Sequence, residues 1–166
     1  MNLQKKKICL IRYNAFTDEV EIKSSLNDVN INSMLKSKGI YVISNNKEYR
    51  FSKFVTNSGK PYNRISIALL KDSPFSVYKF IDKEFIAGKK AKTSLEKSTS
   101  AKFKSIEEYF IEKNGILIPI EIHKKKILKS LPSHRKEVEK FIKSNKIKLK
   151  KEADLIKVIQ YYNSLQ

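Results

Sequence analysis

Along the first 122 residues, apolar and polar positions mostly alternate between short turn-rich breaks; beyond residue 123 the apolar positions fall at helical spacing. Residues 8–13 and 19–23 flank the polar stretch 14–18, which predicts a hairpin. Residues 24–38 are rich in Ser, Asn and Asp, carry Met34 and Leu35 and close at Gly39, so a loop or a single helical turn is expected there. Residues 40–44 and 48–55 are β-branched and aromatic, with Asn45, Asn46 and Lys47 between them as a tight turn. After a turn at Asn57, Ser58, Gly59, Lys60 and Pro61, residues Ile65, Ile67 and Leu69 alternate with Arg64, Ser66 and Ala68, placing one face on a core. Asp72, Ser73 and Pro74 then reverse the chain into residues 75–81, whose two faces both look partly covered. Residues 87–104 break the pattern: small, polar and basic, with Leu95 and Phe103 as apolar anchors, they read as an exposed, mobile loop. Asn114-Gly115 between two alternating runs is the best hairpin signal in the chain, and Pro119, lacking an N–H, belongs where no ladder bond is needed, as on a sheet edge.

The last third reads differently. Ile127, Leu128 and Leu131 begin a helical pattern; Pro132 and Ser133 mark a second start, followed by Val138, Phe141 and Ile142. After a short extended connector, Glu152 and Asp154 suit a helix N-terminus, and Leu155, Ile156, Ile159 and Tyr162 line one face. Short turns favour antiparallel neighbours, because parallel strands need a dozen or more connecting residues. The pattern therefore predicts an α+β fold: an antiparallel twisted sheet or half-open barrel of meander topology from residues 8–122, with C-terminal helices from residues 123–166 packed on it. A chain of 166 residues is expected to form a single domain.

Composition adds a strong electrostatic bias. Lys and Arg total 35 against 17 acids, a net charge of +18, while an apolar fraction of 40% is enough for a real core. Such a field attracts polyanions: nucleic acid, anionic headgroups or acidic glycans. Between residues 123 and 151 there are twelve Lys or Arg and two Glu, a local excess of ten. The candidate polyanion-binding residues are Lys124, Lys125, Lys126, Arg135, Lys136, Lys140, Lys143, Lys146, Lys148, Lys150 and Lys151. Arg135 is the one arginine in that stretch, so the expected attraction is general rather than bidentate. A solvated lysine face is the plainer reading of the same residues.

No catalytic constellation emerges. His123 and His134 stand eleven residues apart with no companion ligands, so no metal or cofactor site is expected and both read as surface groups. Asp18, Glu19 and Glu21, and Glu107 with Glu108, are the acidic concentrations; adjacent strand residues point to opposite faces, and Glu19 and Glu21 are expected to meet cross-strand lysines. Gly59-Lys60 lacks the earlier glycine and the following Ser or Thr of a phosphate loop. Tyr49, Phe51, Phe54, Tyr78 and Phe80 lie in basic strands where rings can stack bases, but a buried aromatic core accounts for them better. The single cysteine, Cys9, has no disulfide partner and reads as a small strand residue. Residues 1–11 fall short of the roughly 7 to 15 apolar residues of an export signal, and no stretch approaches the roughly 20 of a membrane span.

Three segments carry a family resemblance: ICLIRYNAFTDEVEI at residues 8–22, YFIEKNGILIPI at 109–120, and LPSHRKEVEKFIKSNKIKLKKEADLIKVIQYYNSLQ at 131–166. Together they resemble a family of uncharacterised Bacteroidota proteins, usually exported, that begin with an export signal and a further strand or two ahead of the RYN segment. The resemblance implies a cell-envelope or periplasmic association, while the missing catalytic constellation leads to the expectation of no enzymatic activity. The expectation is a non-enzymatic binding or structural module meeting an anionic envelope component or a partner protein. The alternative is an intracellular protein that binds nucleic acid through non-specific electrostatics of the lysine-rich C-terminal region.

Overall fold

The computed structural model describes residues 8–37, 39–56, 58–93 and 95–166. Asn57 of the expected turn, Lys38, Ser94 and the lysines of residues 1–7 lie outside the described residues. Among the described residues the architecture is α+β, with two sheets and three C-terminal helices.

The first hairpin forms as its pattern predicts, from β1 (Leu10–Asn14) and β2 (Glu19–Lys23). The segment expected as a loop supplies a third strand, β3 (Asn32–Ser33), antiparallel to β2. Its anchor is Met34, whose N–H donates to Val20 O at 2.8 Å and whose side chain is buried with Val20 and Ile65.

The second sheet runs in chain order: β4 (Tyr41–Ser44), β5 (Lys47–Thr56), β6 (Pro61–Leu70), β7 (Ser76–Ile86), β8 (Lys102–Lys113) and β9 (Ile116–Ile120), each neighbour antiparallel. Asn45 and Asn46 (φ 49° and 59°) and Asn114 and Gly115 (φ 53° and 80°) make the two tightest connections, with the positive φ at both positions that matches strand twist. β9 also meets β5 in parallel, Val55 opposite Ile116 and Thr56 opposite Leu117, and curls the sheet into a half-open barrel. That parallel contact needs no crossover helix, because four antiparallel steps return the fifth strand to the direction of the first. The two-residue loop makes Lys113 and Ile116 a ladder-bonded pair, so alternation places Phe110 and Pro119 opposite each other where β8 and β9 exchange no bonds. Pro119 thus loses nothing.

The inner face holds Tyr78, Phe80, Phe110 and Leu117, packed with Phe54 and Tyr62. The outer face is covered twice. The three-stranded sheet lies over Ile65, Tyr49 and Phe51, and α1 (Lys124–Ser130), α2 (Arg135–Ser144) and α3 (Glu152–Asn163) lie over Phe75, Val77, Ile111 and Ile120. β6 is consequently buried on both faces at its middle, Ser66 as fully as Ile67, where its alternation predicts a single covered face. The Ser66 hydroxyl is satisfied by Ser52 at 2.6 Å. An irregularity between Ala68 and Leu70 brings both Leu69 and Leu70 against the helices.

The helices form where the apolar spacing places them, with changed details at their starts. Ser133 does not cap α2; the cap position is His134 (φ 51°), and the Ser133 hydroxyl instead sits 3.1 Å from the Tyr162 hydroxyl. α3 buries Leu155, Val158, Ile159 and Tyr162, so Val158 completes the stripe and Ile156 is only half-buried. Each such aliphatic burial contributes about 1.5–3 kcal/mol. Asn163 then pins α3 to the residue leading into β7 by donating to Phe75 O and accepting from Phe75 N–H, both at 2.9 Å.

β6 and β7 pair only from Ile67 and Lys79 toward the helices. Beyond that point they separate, and the β1–β2 turn fills the gap. Asp18 (φ 55°) accepts from Ile65 N–H at 3.2 Å and from the Tyr13 hydroxyl at 3.0 Å, while that hydroxyl lies 3.2 Å from Ile81 O. β7 and β8 stay paired from Ser76 opposite Glu112 to Ile86 opposite Lys102, the stretch from Phe80 outward without β6. The expected loop at 87–104 is therefore shorter: β8 already begins at Lys102, and Lys89 and Thr99 bridge the chain above it. Most side chains on these outer rungs are polar, with Phe85 and Phe103 among the exceptions, and that mixture hides the strand from a hydropathy pattern.

Candidate polyanion-binding face

The basic residues singled out from sequence divide among five locations. Lys136, Lys140 and Lys143 recur at i, i+4 and i+7 on the exposed side of α2, whose opposite side buries Val138 and Ile142. With Glu139 and Ser144 they line a shallow depression of about 330 Å³. Lys124 reaches the same place from the start of α1, its Nζ 2.9 Å from Glu139 Oε1, and Lys143 approaches that oxygen at 3.3 Å. Hydrogen bonds first from Lys124 and then from Lys143 hold the Glu139 carboxyl below the usual carboxylate range. Two lysines thus pair with one carboxylate, and Lys136 and Lys140 line the same depression, on a surface backed by a packed core.

The remaining candidates lie elsewhere. Lys125 is exposed on α1. Lys126 pairs with Glu121 at 3.2 Å on the rim of a groove of about 820 Å³ between the β8–β9 hairpin and α1. Arg135 donates through Nε to Leu131 O at 2.8 Å and so satisfies a carbonyl at the end of α1. Lys146, Lys148, Lys150 and Lys151 are exposed along the connector to α3, with Lys150 N–H donating to Asp154 at 3.3 Å. His123 and His134 are exposed at the starts of α1 and α2. Among the described residues, no group of three or more His, Cys, Asp or Glu has metal-binding geometry. No helix among them is long and apolar enough to cross a membrane.

Sequence reasoning misses a charge cluster centred on a buried lysine. Lys79 on β7 is 7% exposed and lies 2.9 Å from both Glu107 on β8 and Glu152 at the start of α3. Burial alone would push the ammonium down, but hydrogen bonds to the two carboxylates outweigh it and hold Lys79 well above the ordinary lysine range. The bond from Lys79 keeps Glu107 below the usual carboxylate range, and burial together with the Glu107 contact pushes Tyr109 up to about 12. The partners lie 28 and 73 residues from Lys79, a separation at which no spacing rule operates. The expected lysine partner of Glu21 is likewise an arginine: Arg12 Nε donates to Glu21 Oε2 at 2.8 Å directly across the hairpin.

The aromatic strand residues belong to the cores rather than to an open stacking surface. Tyr78 and Phe80 are buried inside the barrel, and Tyr49 packs its ring 5.4 Å from Tyr13 beneath the three-stranded sheet. No protein-family model, no curated protein and no solved structure matches the chain.

Proposed function

We propose that the protein is a non-enzymatic binding module that holds an acidic polymer on the α1–α2 face, with an anionic component of the cell envelope as the ligand to which the family resemblance directs it. The observation that carries this reading is the gathering of Lys136, Lys140 and Lys143 along one depression on α2, with Lys124 and Lys143 both paired to Glu139 there. Lysines act as compact point charges and suit a repeating polyanion read by charge density rather than by shape. A rigid backing also matters, since Val138 and Ile142 fix α2 against the core and leave only the lysine side chains to order on binding.

The non-enzymatic part rests on the state of the other ionisable groups. Glu107, Glu108 and Glu121 in the groove already have Lys79, Tyr62 and Lys126 as partners. The buried Lys79 stays protonated and so has no lone pair for nucleophilic or basic work.

Titration with linear polyphosphate tests the reading. Three or four phosphate contacts correspond to an affinity loss of roughly 20- to 100-fold between about 50 and 200 mM salt. Lys136→Glu with Lys140→Glu should abolish most of that binding, whereas Glu139→Gln should strengthen it severalfold by releasing two lysines. Unchanged affinity in the double variant would remove the reading, and tighter binding to a DNA duplex than to polyphosphate would redirect it to nucleic acid.

A further inference from the structure

The free end of the β7–β8 hairpin carries an aromatic cluster that none of the cores absorbs. Phe85 and Phe103 face each other across the strands with ring centroids 5.4 Å apart, and Phe16 from the β1–β2 turn packs edge-on against Phe103 at 5.5 Å. These rings are 55%, 55% and 62% exposed, and Leu95 near the tip is 96% exposed. Contiguous exposed apolar surface of this kind on a highly charged chain marks a contact site. Its surroundings define the partner: residues 84–104 hold six lysines against Glu84 and Glu96.

We infer that this end of the hairpin, with Phe16, is a docking prong for an anionic lipid bilayer, the phenyl rings entering the headgroup boundary and the lysines pairing with lipid phosphates. Phenylalanine has no polar tip to keep at an aqueous surface, and lysine stems let charge stay at the phosphates while the rings sit deeper. A second copy of the chain is disfavoured because two such tips repel. A nucleic acid is disfavoured because the central ring, Phe103, already packs against both Phe16 and Phe85 and offers no free face pair for intercalated bases. The prong is separate from the α1–α2 face. It lies ten rungs from the helix-covered end of the same strand pair, about 33 Å.

The chain contains no tryptophan, so Phe103→Trp introduces a unique reporter at the centre of the cluster. With phosphatidylcholine vesicles containing phosphatidylglycerol, the indole emission should shift to the blue and be quenched by lipids brominated high on the acyl chain. With phosphatidylcholine alone or with a DNA duplex it should not. In the otherwise unaltered chain, Phe85→Ser with Phe103→Ser should weaken vesicle binding about tenfold or more at unchanged melting temperature. Lys136→Glu with Lys140→Glu should leave the indole shift in place at saturating vesicles, which separates this inference from polymer binding by the helices. Vesicle-bound protein with an unshifted, unquenched indole would overturn it. So would a blue shift that grows with protein concentration in the absence of lipid, or an equal response to DNA.

Discussion

The two ends of the β7–β8 strand pair are built from similar residues and meet opposite fates. At the base, Val77, Phe80 and Ile111 are almost wholly buried; at the far end, Phe85 and Phe103 stand more than half exposed. Alternation and β-propensity are alike in both, so neither explains the difference. What changes is the cover. The base has the barrel interior on one face and α1–α3 on the other, whereas beyond Lys79 the neighbouring β6 departs and the three-stranded sheet offers only Tyr13 at Ile81 and Phe16 at Phe103. A strand's exposed aromatics therefore report on missing neighbours, and a missing neighbour is where a partner fits.

The contrast can be broken most forcefully at the covered end. Ile159→Ala empties a fully buried site under the helices and should destabilise the fold by about 3 kcal/mol, read as a lower urea midpoint at unchanged m-value. Asp18→Ala acts at the point where β6 and β7 part; it leaves the Ile65 N–H without its acceptor and should cost about 2 kcal/mol by the same measurement.

A pH series sharpens the comparison further. Glu107 is held below its ordinary value, so its contribution is complete above the unfolded carboxylate pKa of about 4.3 and is lost as pH falls through the folded one. Lys79 is raised, so its contribution is complete below about 10.4 and disappears only as pH rises beyond it. Thermal scans should show a plateau between these limits and an acid decline that Glu107→Gln shrinks by less than about 1 kcal/mol, since Glu107 is 45% exposed and screened. The smallest effect belongs to the free end. Phe103→Ser should change stability by no more than about 0.5 kcal/mol, and a larger loss would mean that the tip rings form part of a core after all.

Much of this was legible in the residues. Asn114-Gly115 and Asn45-Asn46 announce their turns because few residues accept positive φ at both positions, and α2 and α3 follow from apolar spacing alone. β3 was not legible: Asn32 and Ser33 have low strand propensity and are held by the burial of Met34 next to them. The β5–β9 contact depends on how the whole sheet curls, a property of no local segment. At the candidate site the lysine run was plain to see, but its division was not. Helical phase gathers Lys136, Lys140 and Lys143, whereas the meeting of Lys124 with Glu139 depends on how α1 and α2 pack.

Isotope-labelled protein titrated with polyphosphate and followed by amide chemical shifts tests the central assignment most directly. The account predicts that the largest changes gather at Lys124, Lys136, Glu139, Lys140 and Lys143, while the amides of residues 84–104 stay still. Changes confined to residues 84–104, or spread evenly over the connector lysines from 146 to 151, would contradict it.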